Sequence, residues 1–134
     1  MTAVDTSVVV AGFATWHEAH AAAAAALARK PRIPAHVLVE SFSVLTRLPP
    51  PHRAPAAMVT AFLRARFPDT PLALPATGYA PLLGDVTDAG LTGGSVYDAL
   101  IAATVLAAGA TLLTRDQRAR AVYDRIGVRY EVIG

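Results

Sequence analysis

The sequence contains no cysteine, so neither disulfide bonds nor thiolate metal ligands contribute to its chemistry. It also contains little charge, because charged residues make up 16% of the 134 residues and apolar residues make up 54%. So apolar a composition excludes an intrinsically disordered chain and is sufficient for one packed core. We therefore expect a single domain over residues 1–134.

Long hydrophobic runs are absent as well. The longest apolar stretch, residues 99–113, is interrupted by Thr104, Gly109 and Thr111, and it is shorter than the ~20 residues that a membrane-spanning helix requires. The N-terminus has Asp5 and no basic segment, which argues against a signal peptide. The net charge of +2 is weak evidence for a polyanionic partner. We expect a soluble, cytoplasmic protein without a membrane partner.

Short apolar runs alternate with helical patterns along the chain. The runs typical of strands are residues 2–5, 32–35, 71–75, 110–114 and 128–133. The helical patterns are residues 7–14, 16–29, 36–48, 54–67, 77–89, 95–108 and 117–126, and the second is predicted to begin with a capping box, Thr15 to Glu18. This alternation predicts an α/β fold, a three-layer α/β/α sandwich with a central four- to five-stranded parallel sheet.

Two acidic residues lie beyond the carboxyl ends of predicted strands, where ligands bind in open α/β sheets. Asp5 ends the first strand, and Asp116 follows the strand of residues 110–114. If these strands are neighbours, about 4.8 Å apart, both carboxylates face one pocket. An ionised carboxylate in an apolar run is costly to bury without compensation, and Asp5 caps no obvious helix. We therefore interpret Asp5 as a functional acid.

Two further acids, Glu40 and Asp98, lie on predicted helices, and each acid other than Asp5 also has a structural interpretation. Asp98 completes a capping box that begins at Ser95, and Asp116 is suited to capping the helix that follows it. Glu40 belongs to a polar helical stripe, which is typical of a solvated face. Because Asp98 is near a helix N-terminus, we expect it to stay ionised.

The histidines lack the spacing of metal ligands. His17 and His20 are three residues apart, unlike the His-x-x-x-His zinc pair, so we expect both to face solvent, with a contact to substrate as the less favoured alternative. His36 and His52 have no partner at ligand spacing. Trp16, the one tryptophan, is expected to pack at the entry of a helix or, alternatively, to anchor a partner.

Several segments, taken in order, are similar to those of a known family. These are VDTSVVV at 4–10, VLVESFSVLTRL at 37–48, YDALIAATVLAAGATLLTRDQR at 97–118 and a final short strand. Over its whole length the chain resembles a PIN domain, and in length and spacing it resembles the VapC-type toxins of bacterial toxin–antitoxin pairs. The resemblance implies an active site of four acids, which are Asp5, Glu40, Asp98 and Asp116. It implies that Thr6, Ser7 and Thr114 accompany them. Many relatives carry another acid just after the last motif, where this chain has Gln117, Arg118 and Ala119.

The resemblance also implies an activity and partners. VapC-type relatives are metal-dependent ribonucleases that cut structured RNA, commonly transfer or ribosomal RNA, and leave a 5′-phosphate and a 3′-hydroxyl. A homodimer and a cognate VapB-type antitoxin that blocks the site are implied in the same way.

Physical chemistry gives a reason for a metal among four carboxylates. Two unit charges 4 Å apart repel by ~4 kcal/mol at an effective dielectric constant of 20, so the site must take up protons or cations. Oxygen ligands without Cys or a suitably placed His favour Mg²⁺, with Mn²⁺ as a substitute. We expect Asp5 and Asp98 to be the primary ligands, and Glu40 and Asp116 to bind a second ion or the attacking water.

Smaller groups around the acids have predicted roles as well. The hydroxyls of Thr6, Ser7 and Thr114 would orient the carboxylates or contact phosphate. Arg115, Arg118 and Arg120 flank the last acid and are candidates for RNA phosphate binding, with a solvated helix face as the alternative.

Two other functions remain open from the sequence. A non-catalytic binding module would keep the fold and use its apolar surface, although four acids argue against it. A receiver-like or phosphatase-like phosphoryl-transfer domain is disfavoured, because Asp5 has no acidic neighbour, position 7 is serine and the one lysine is Lys30.

Overall fold

The computed structural model describes residues 1–134, and it consists of a small parallel sheet surrounded by helices. The strands are β1 (Thr2–Val4), β2 (Thr111–Thr114) and β3 (Tyr130–Val132). The helices are α1 (Thr6–Phe13), α2 (His20–Ala28), α3 (Ala35–Arg47), α4 (Ala56–Arg66), α5 (Tyr79–Asp88), α6 (Ser95–Ala107) and α7 (Arg120–Ile126). Short 3₁₀ segments at Ala76–Gly78 and Gln117–Ala119 precede α5 and α7. None of these helices combines the length and apolar character that crossing a membrane demands.

The sheet has three strands in the order β1-β2-β3, and both pairs are parallel. The α/β/α sandwich is confirmed, but the sheet is smaller than the four to five strands predicted. The segments at 32–35 and 71–75 contribute only single parallel bridges, Ala3 to Arg32 and Pro34 to Leu72. Prolines explain this difference, because a residue without an N–H group cannot continue a ladder of hydrogen bonds.

The core lies on both sides of β1 and β2. Consecutive residues Ala3 and Val4 in β1, and Leu112 and Leu113 in β2, are all fully buried. Successive strand residues point to opposite faces, so both faces of this part of the sheet are covered, as is usual in parallel sheets. The apolar runs that predicted these strands are therefore explained by two-sided burial.

Helix α2 begins later than predicted. The capping box of Thr15 and Glu18 does not form, and α2 starts at His20 after a turn. Within that turn the Ala19 N–H donates to Nδ1 of His17 at 3.0 Å. The turn is anchored by close packing of α1 on α2, since a Cβ atom added to Gly12 would lie 2.4 Å from Cδ1 of Leu27.

Candidate active site

Asp5 and Asp116 lie at the same edge of the sheet, because the two strands that precede them are neighbours, which was the condition set from the sequence. β1 and β2 are paired in parallel with Val4 opposite Leu113, and the Asp5 N–H donates to the Leu113 carbonyl at 3.2 Å. A pocket of about 450 Å³ opens at this edge. Its lining includes all four acids expected from the sequence: Asp5, Glu40, Asp98 and Asp116.

Asp5 caps α1, so the interpretation that it caps no helix was wrong. Its backbone is extended, and its Oδ1 accepts the Val8 N–H at 3.4 Å, as an N-cap residue does. The sequence concealed this role because the helix was predicted to begin at residue 7, whereas α1 begins at Thr6. Asp5 therefore serves the helix terminus and the pocket at the same time.

Three hydroxyl groups donate to the Asp5 carboxylate, which is only 3% exposed. Ser7 donates to Oδ1 at 2.5 Å, while Thr114 and Tyr123 donate to Oδ2, the latter at 2.8 Å. Burial raises the pKa of Asp5, and these hydrogen bonds oppose the increase. The surrounding hydroxyls thus reduce the cost of a buried carboxylate without introducing a positive charge.

Tyr123 was not anticipated from the sequence. Its ring is buried, and its pKa is raised first by burial and then by the negative charge of Asp5. A tyrosine on the apolar face of α7 was an available signal, since a buried phenol must find a hydrogen-bond partner.

The Ser7 and Thr114 hydroxyls also fix the loop that carries Asp116. The Arg115 N–H donates to Ser7 Oγ at 2.8 Å, and the Asp116 N–H donates to Thr114 Oγ1 at 3.0 Å. Each hydroxyl therefore links the Asp5 carboxylate to the backbone that follows β2. The relative positions of the two acids follow from this network.

Glu40 lies in the pocket and not on a solvated helix face. The Thr6 hydroxyl donates to its Oε1, and Nε2 of His36 lies 3.1 Å from its Oε2. The His36 ring in turn stacks on Tyr97 with centroids 5.1 Å apart. The expected role of Thr6 in orienting a carboxylate is consistent with this contact.

Asp98 is the acid with the fewest protein partners. It caps nothing: the N-cap of α6 is Gly94, and the Ser95 hydroxyl donates instead to the Thr92 carbonyl at 2.7 Å. No protein group donates a hydrogen bond to its carboxylate. The capping-box interpretation is therefore wrong, and the Asp98 oxygens are free for a ligand.

The electrostatics of Asp98 differ from the expectation based on the helix dipole alone. Burial and then the charge of Asp116 raise the pKa of Asp98 to about 6, with a smaller contribution from Glu40. The pKa of Asp98 is therefore only about one unit below neutral pH, so most but not all of it is ionised there. Desolvation and the neighbouring acids outweigh the favourable effect of the helix N-terminus.

Asp116 has both of the roles considered for it. Its Oδ1 accepts the N–H groups of Arg118 at 3.0 Å and Ala119 at 3.3 Å, so it caps the 3₁₀ segment, while it also lines the pocket. The Arg118 guanidinium lies 3.3 Å from its Oδ2.

The three candidate arginines lie in different places. Arg115 and Arg118 line the pocket, but Arg120 does not. Arg120 is exposed and donates to Gln117 at 3.0 Å and to the Tyr130 hydroxyl at 3.5 Å, which fits the alternative of a solvated helix face. Its binding to RNA phosphate stays a prediction.

The expectation that His17 and His20 face solvent was also wrong. His17 is partly buried and lines the pocket, and Nδ1 of His20 lies 2.9 Å from the Ala11 carbonyl. The turn before α2, unseen in the sequence pattern, explains the position of His17.

The donor set fits a hard divalent cation in its chemistry. Four carboxylates and two arginines line the pocket, one of the arginines is paired with Asp116, and Asp98 has no protein partner. No three His, Asp or Glu side chains stand close enough to coordinate one ion together in this arrangement. A shared ion would therefore draw the carboxylates closer together, which would also relieve the repulsion that raises the Asp98 pKa.

Known proteins are similar to this chain in sequence and in fold. Residues 2–125 match the PIN domain family. Ribonuclease VapC40 of Mycobacterium tuberculosis H37Rv is 51% identical over 133 residues, which are 99% of each chain. Ribonuclease VapC27 of the same strain is 40% identical over 131 residues, covering 97% of this chain and 95% of the relative.

Two solved structures have the same fold at low identity. The crystal structure of M. tuberculosis VapC20, a Sarcin-Ricin loop cleaving toxin, gives a TM-score of 0.72 at 22% identity, over 90% of this chain and 94% of that one. The crystal structure of Rickettsia felis VapBC2, bound to a DNA fragment from their promoter, contains a chain that gives a TM-score of 0.67 at 19% identity. The match covers 99% of this chain and 98% of that one. The chain described here therefore belongs to the PIN-domain family, as one of its VapC-type toxins.

Proposed function

We propose that the protein is a Mg²⁺-dependent endoribonuclease that hydrolyses structured RNA of the transfer or ribosomal class and leaves a 5′-phosphate and a 3′-hydroxyl. One observation carries this proposal: four acids from separate parts of the chain line a single pocket, and one of them, Asp98, has no protein partner. Relatives at 51% and 40% identity that are named ribonucleases support the same activity.

In this proposal the four acids divide the work. Asp5 and Asp98 are the principal ligands of the cation, and Glu40 and Asp116 bind a second ion or orient the attacking water. A bound divalent cation would polarise the scissile phosphate and lower the pKa of a water molecule. Mn²⁺ would substitute for Mg²⁺, because both accept oxygen ligands.

The neighbouring side chains hold these acids in position. Thr6 fixes Glu40 by donating to its Oε1, and Ser7 and Thr114 fix Asp5 in the same manner. Arg115 and Arg118 border the pocket and would attract phosphate groups on either side of the scissile bond. Positive groups beside the acids suit a polyanion that must approach a bound cation.

We further propose a cognate VapB-type antitoxin as inhibitor and a homodimer as the assembly. The antitoxin is supported by the R. felis neighbour, which was crystallised as VapBC2. The homodimer is supported by large apolar side chains on the surface, among them Val39, Met58 and Leu106.

The test is RNA cleavage by the purified protein, with a matched pair of variants. Asp98→Asn changes the unpartnered pocket acid, and Asp88→Asn makes the same change at an exposed residue of α5 outside the pocket. Wild type and Asp88→Asn should cut total transfer and ribosomal RNA with Mg²⁺, and EDTA should stop both. Asp98→Asn should lose at least 100-fold in rate.

Sequencing of the RNA ends identifies the chemistry. Discrete ends with 5′-phosphates are expected, whereas 2′,3′-cyclic phosphates would indicate attack by the ribose hydroxyl. Wild-type activity in Asp98→Asn would refute the proposal. A protein that neither cuts RNA nor gains thermal stability with Mg²⁺ would be the non-catalytic binding module.

A further inference from the structure

An aromatic stack lies beside the pocket and has no part in the proposed chemistry. Trp16, the single tryptophan, lies in the turn between α1 and α2 and is 50% exposed. Its ring stacks on the exposed His52 with centroids 3.9 Å apart and an interplanar angle of 28°. Trp16 is absent from the hydrophobic core, so packing in the turn before α2 accounts only for its covered half.

The stack is continuous with the pocket. His17, next to Trp16 in the chain, lines the pocket, and the two rings lie 5.9 Å apart. From the other side, α3 contributes Glu40 and Val44 to the pocket, and His52 follows shortly after the helix ends. A chain that occupies the pocket beside His17 would therefore lie next to the Trp16–His52 stack.

The charge around the stack favours a negative partner. The segment that carries His52, residues 41–68, contains no Asp or Glu and four arginines, whereas the segment that carries Trp16 has one acid nearby, Glu18. Arg53 is close to the stack, and its Nε donates to the Leu48 carbonyl at 2.9 Å. An exposed indole with basic neighbours suits a group that joins a flat ring to a phosphate, which is the structure of a nucleotide.

We propose that Trp16 and His52 form a base-stacking subsite for an unpaired nucleotide next to the scissile bond. The inference rests on the proposed ribonuclease function and names one determinant of its substrate choice. An unstacked base would cover the exposed indole while the backbone enters the pocket, so the enzyme would require a loop or single-stranded segment beside the cut. Duplex RNA, whose bases are already stacked, would not occupy the subsite.

The single tryptophan provides a direct readout of stacking. We would titrate the wild-type protein in EDTA, which prevents cleavage, with single-stranded RNA decamers and follow the indole fluorescence. A decamer of abasic ribose phosphates with equal charge, and a decamer duplex, are the matched controls. Base-containing single strands should quench the fluorescence, and both controls should leave it nearly unchanged.

Variants test whether stacking contributes to affinity. Trp16→Ala should weaken binding of a fluorescein-labelled decamer by about 5- to 100-fold in an anisotropy assay. Trp16→Phe keeps a stacking ring and should stay within about 3-fold of wild type. Leu83→Ala, at another large exposed side chain (60%) on α5, should bind as wild type. Circular dichroism would verify that each variant is folded.

The possible outcomes separate this inference from the proposed function. Cleavage by wild type without quenching, or with Trp16→Ala binding at wild-type affinity, would overturn the stacking subsite and leave the ribonuclease intact. Quenching and weakened Trp16→Ala binding without cleavage would support the subsite and count against the ribonuclease. A fluorescence change that follows protein concentration in the absence of RNA would assign the surface to a second copy and overturn the inference.

Discussion

Replacing Asp98 by asparagine should stabilise the metal-free protein and abolish most of its response to Mg²⁺. Folding raises the pKa of this carboxyl from 3.8 to about 6, mainly through burial. The difference of about 2 corresponds to about 3 kcal/mol at full ionisation. Because Asp98 is only half-buried, solvent screening reduces the expected gain for Asp98→Asn to about 1–2 kcal/mol at pH 7.

The stability difference between wild type and Asp98→Asn should increase with pH. Below about pH 4, Asp98 is protonated in both the folded and the unfolded protein and contributes nothing. As the pH rises from about 4 to about 6, the unfolded chain loses a proton that the folded protein retains, so the free energy of unfolding of the wild type decreases. Above about pH 6 this contribution is constant. The advantage of Asp98→Asn should therefore be near zero at pH 4 and reach its full value by pH 7.

Urea denaturation in EDTA, at intervals between pH 4.5 and 7.5, measures this difference, with Asp88→Asn as the control. Saturating Mg²⁺ should then stabilise the wild type by about 2.7 kcal/mol at 100 times its Kd and should stabilise Asp98→Asn far less. The reasoning is refuted if Asp98→Asn is no more stable than wild type in EDTA at pH 7.5. It is also refuted if the difference between the two proteins does not vary with pH.

Two further predictions concern the surroundings of the acids. Tyr123→Phe removes a buried hydroxyl that donates to Asp5, so urea denaturation should show a free energy of unfolding lower by about 1–2 kcal/mol. Tyr79→Phe, at an exposed ring, should leave the stability unchanged. Equal stability of both variants would contradict the role of this hydrogen bond. The slope of log RNA affinity against log salt concentration should become about 1 less steep in Arg118→Gln. Arg125→Gln, outside the pocket, should leave this slope unchanged. An unchanged slope in Arg118→Gln would mean that this guanidinium contacts no phosphate.

The sequence was most informative where burial imposes a pattern. β1 and β2 are apolar on consecutive residues because both faces of the sheet are covered, so the existence of these two strands could be predicted, whereas their adjacency could only be assumed. The segments at 32–35 and 71–75 have a similar composition, but prolines limit them to isolated bridges. Composition indicates an extended chain there, whereas the missing N–H groups decide the extent of pairing.

The capping groups of the helices were less predictable. Ser95 and Asp98 have the spacing of a capping box, yet the helix takes Gly94 as its N-cap, and Asp98 is left unpartnered in the pocket. Conversely, Asp5 does cap a helix, because α1 starts one residue earlier than its apolar pattern. A shift of one residue at a helix start changes which side chain faces the free N–H groups, and local sequence does not fix that position.

The polar partners of Asp5 could be predicted only in part. Ser7 and Thr114 lie near the two acids in the sequence, so their hydroxyls were natural candidates. Tyr123 is 118 residues from Asp5 and reaches it only because α7 returns across the sheet edge. Contacts of this kind follow from tertiary packing and have no local sequence pattern.

The hydrogen bonds around Asp5 also affect which mutations of this protein would allow bacteria to survive its expression. Four donors converge on its carboxylate, two of them from the distant Thr114 and Tyr123, so a mutation at Asp5 leaves buried hydroxyls without an acceptor. Mutations at Asp98 break no such bond. Among colonies that survive forced expression, those altered at Asp5 should contain little folded polypeptide, whereas those altered at Asp98 should accumulate an intact, harmless one. Under the proposed function, Asp98 is therefore the one of these two acids whose mutation is expected to remove toxicity and leave the protein folded.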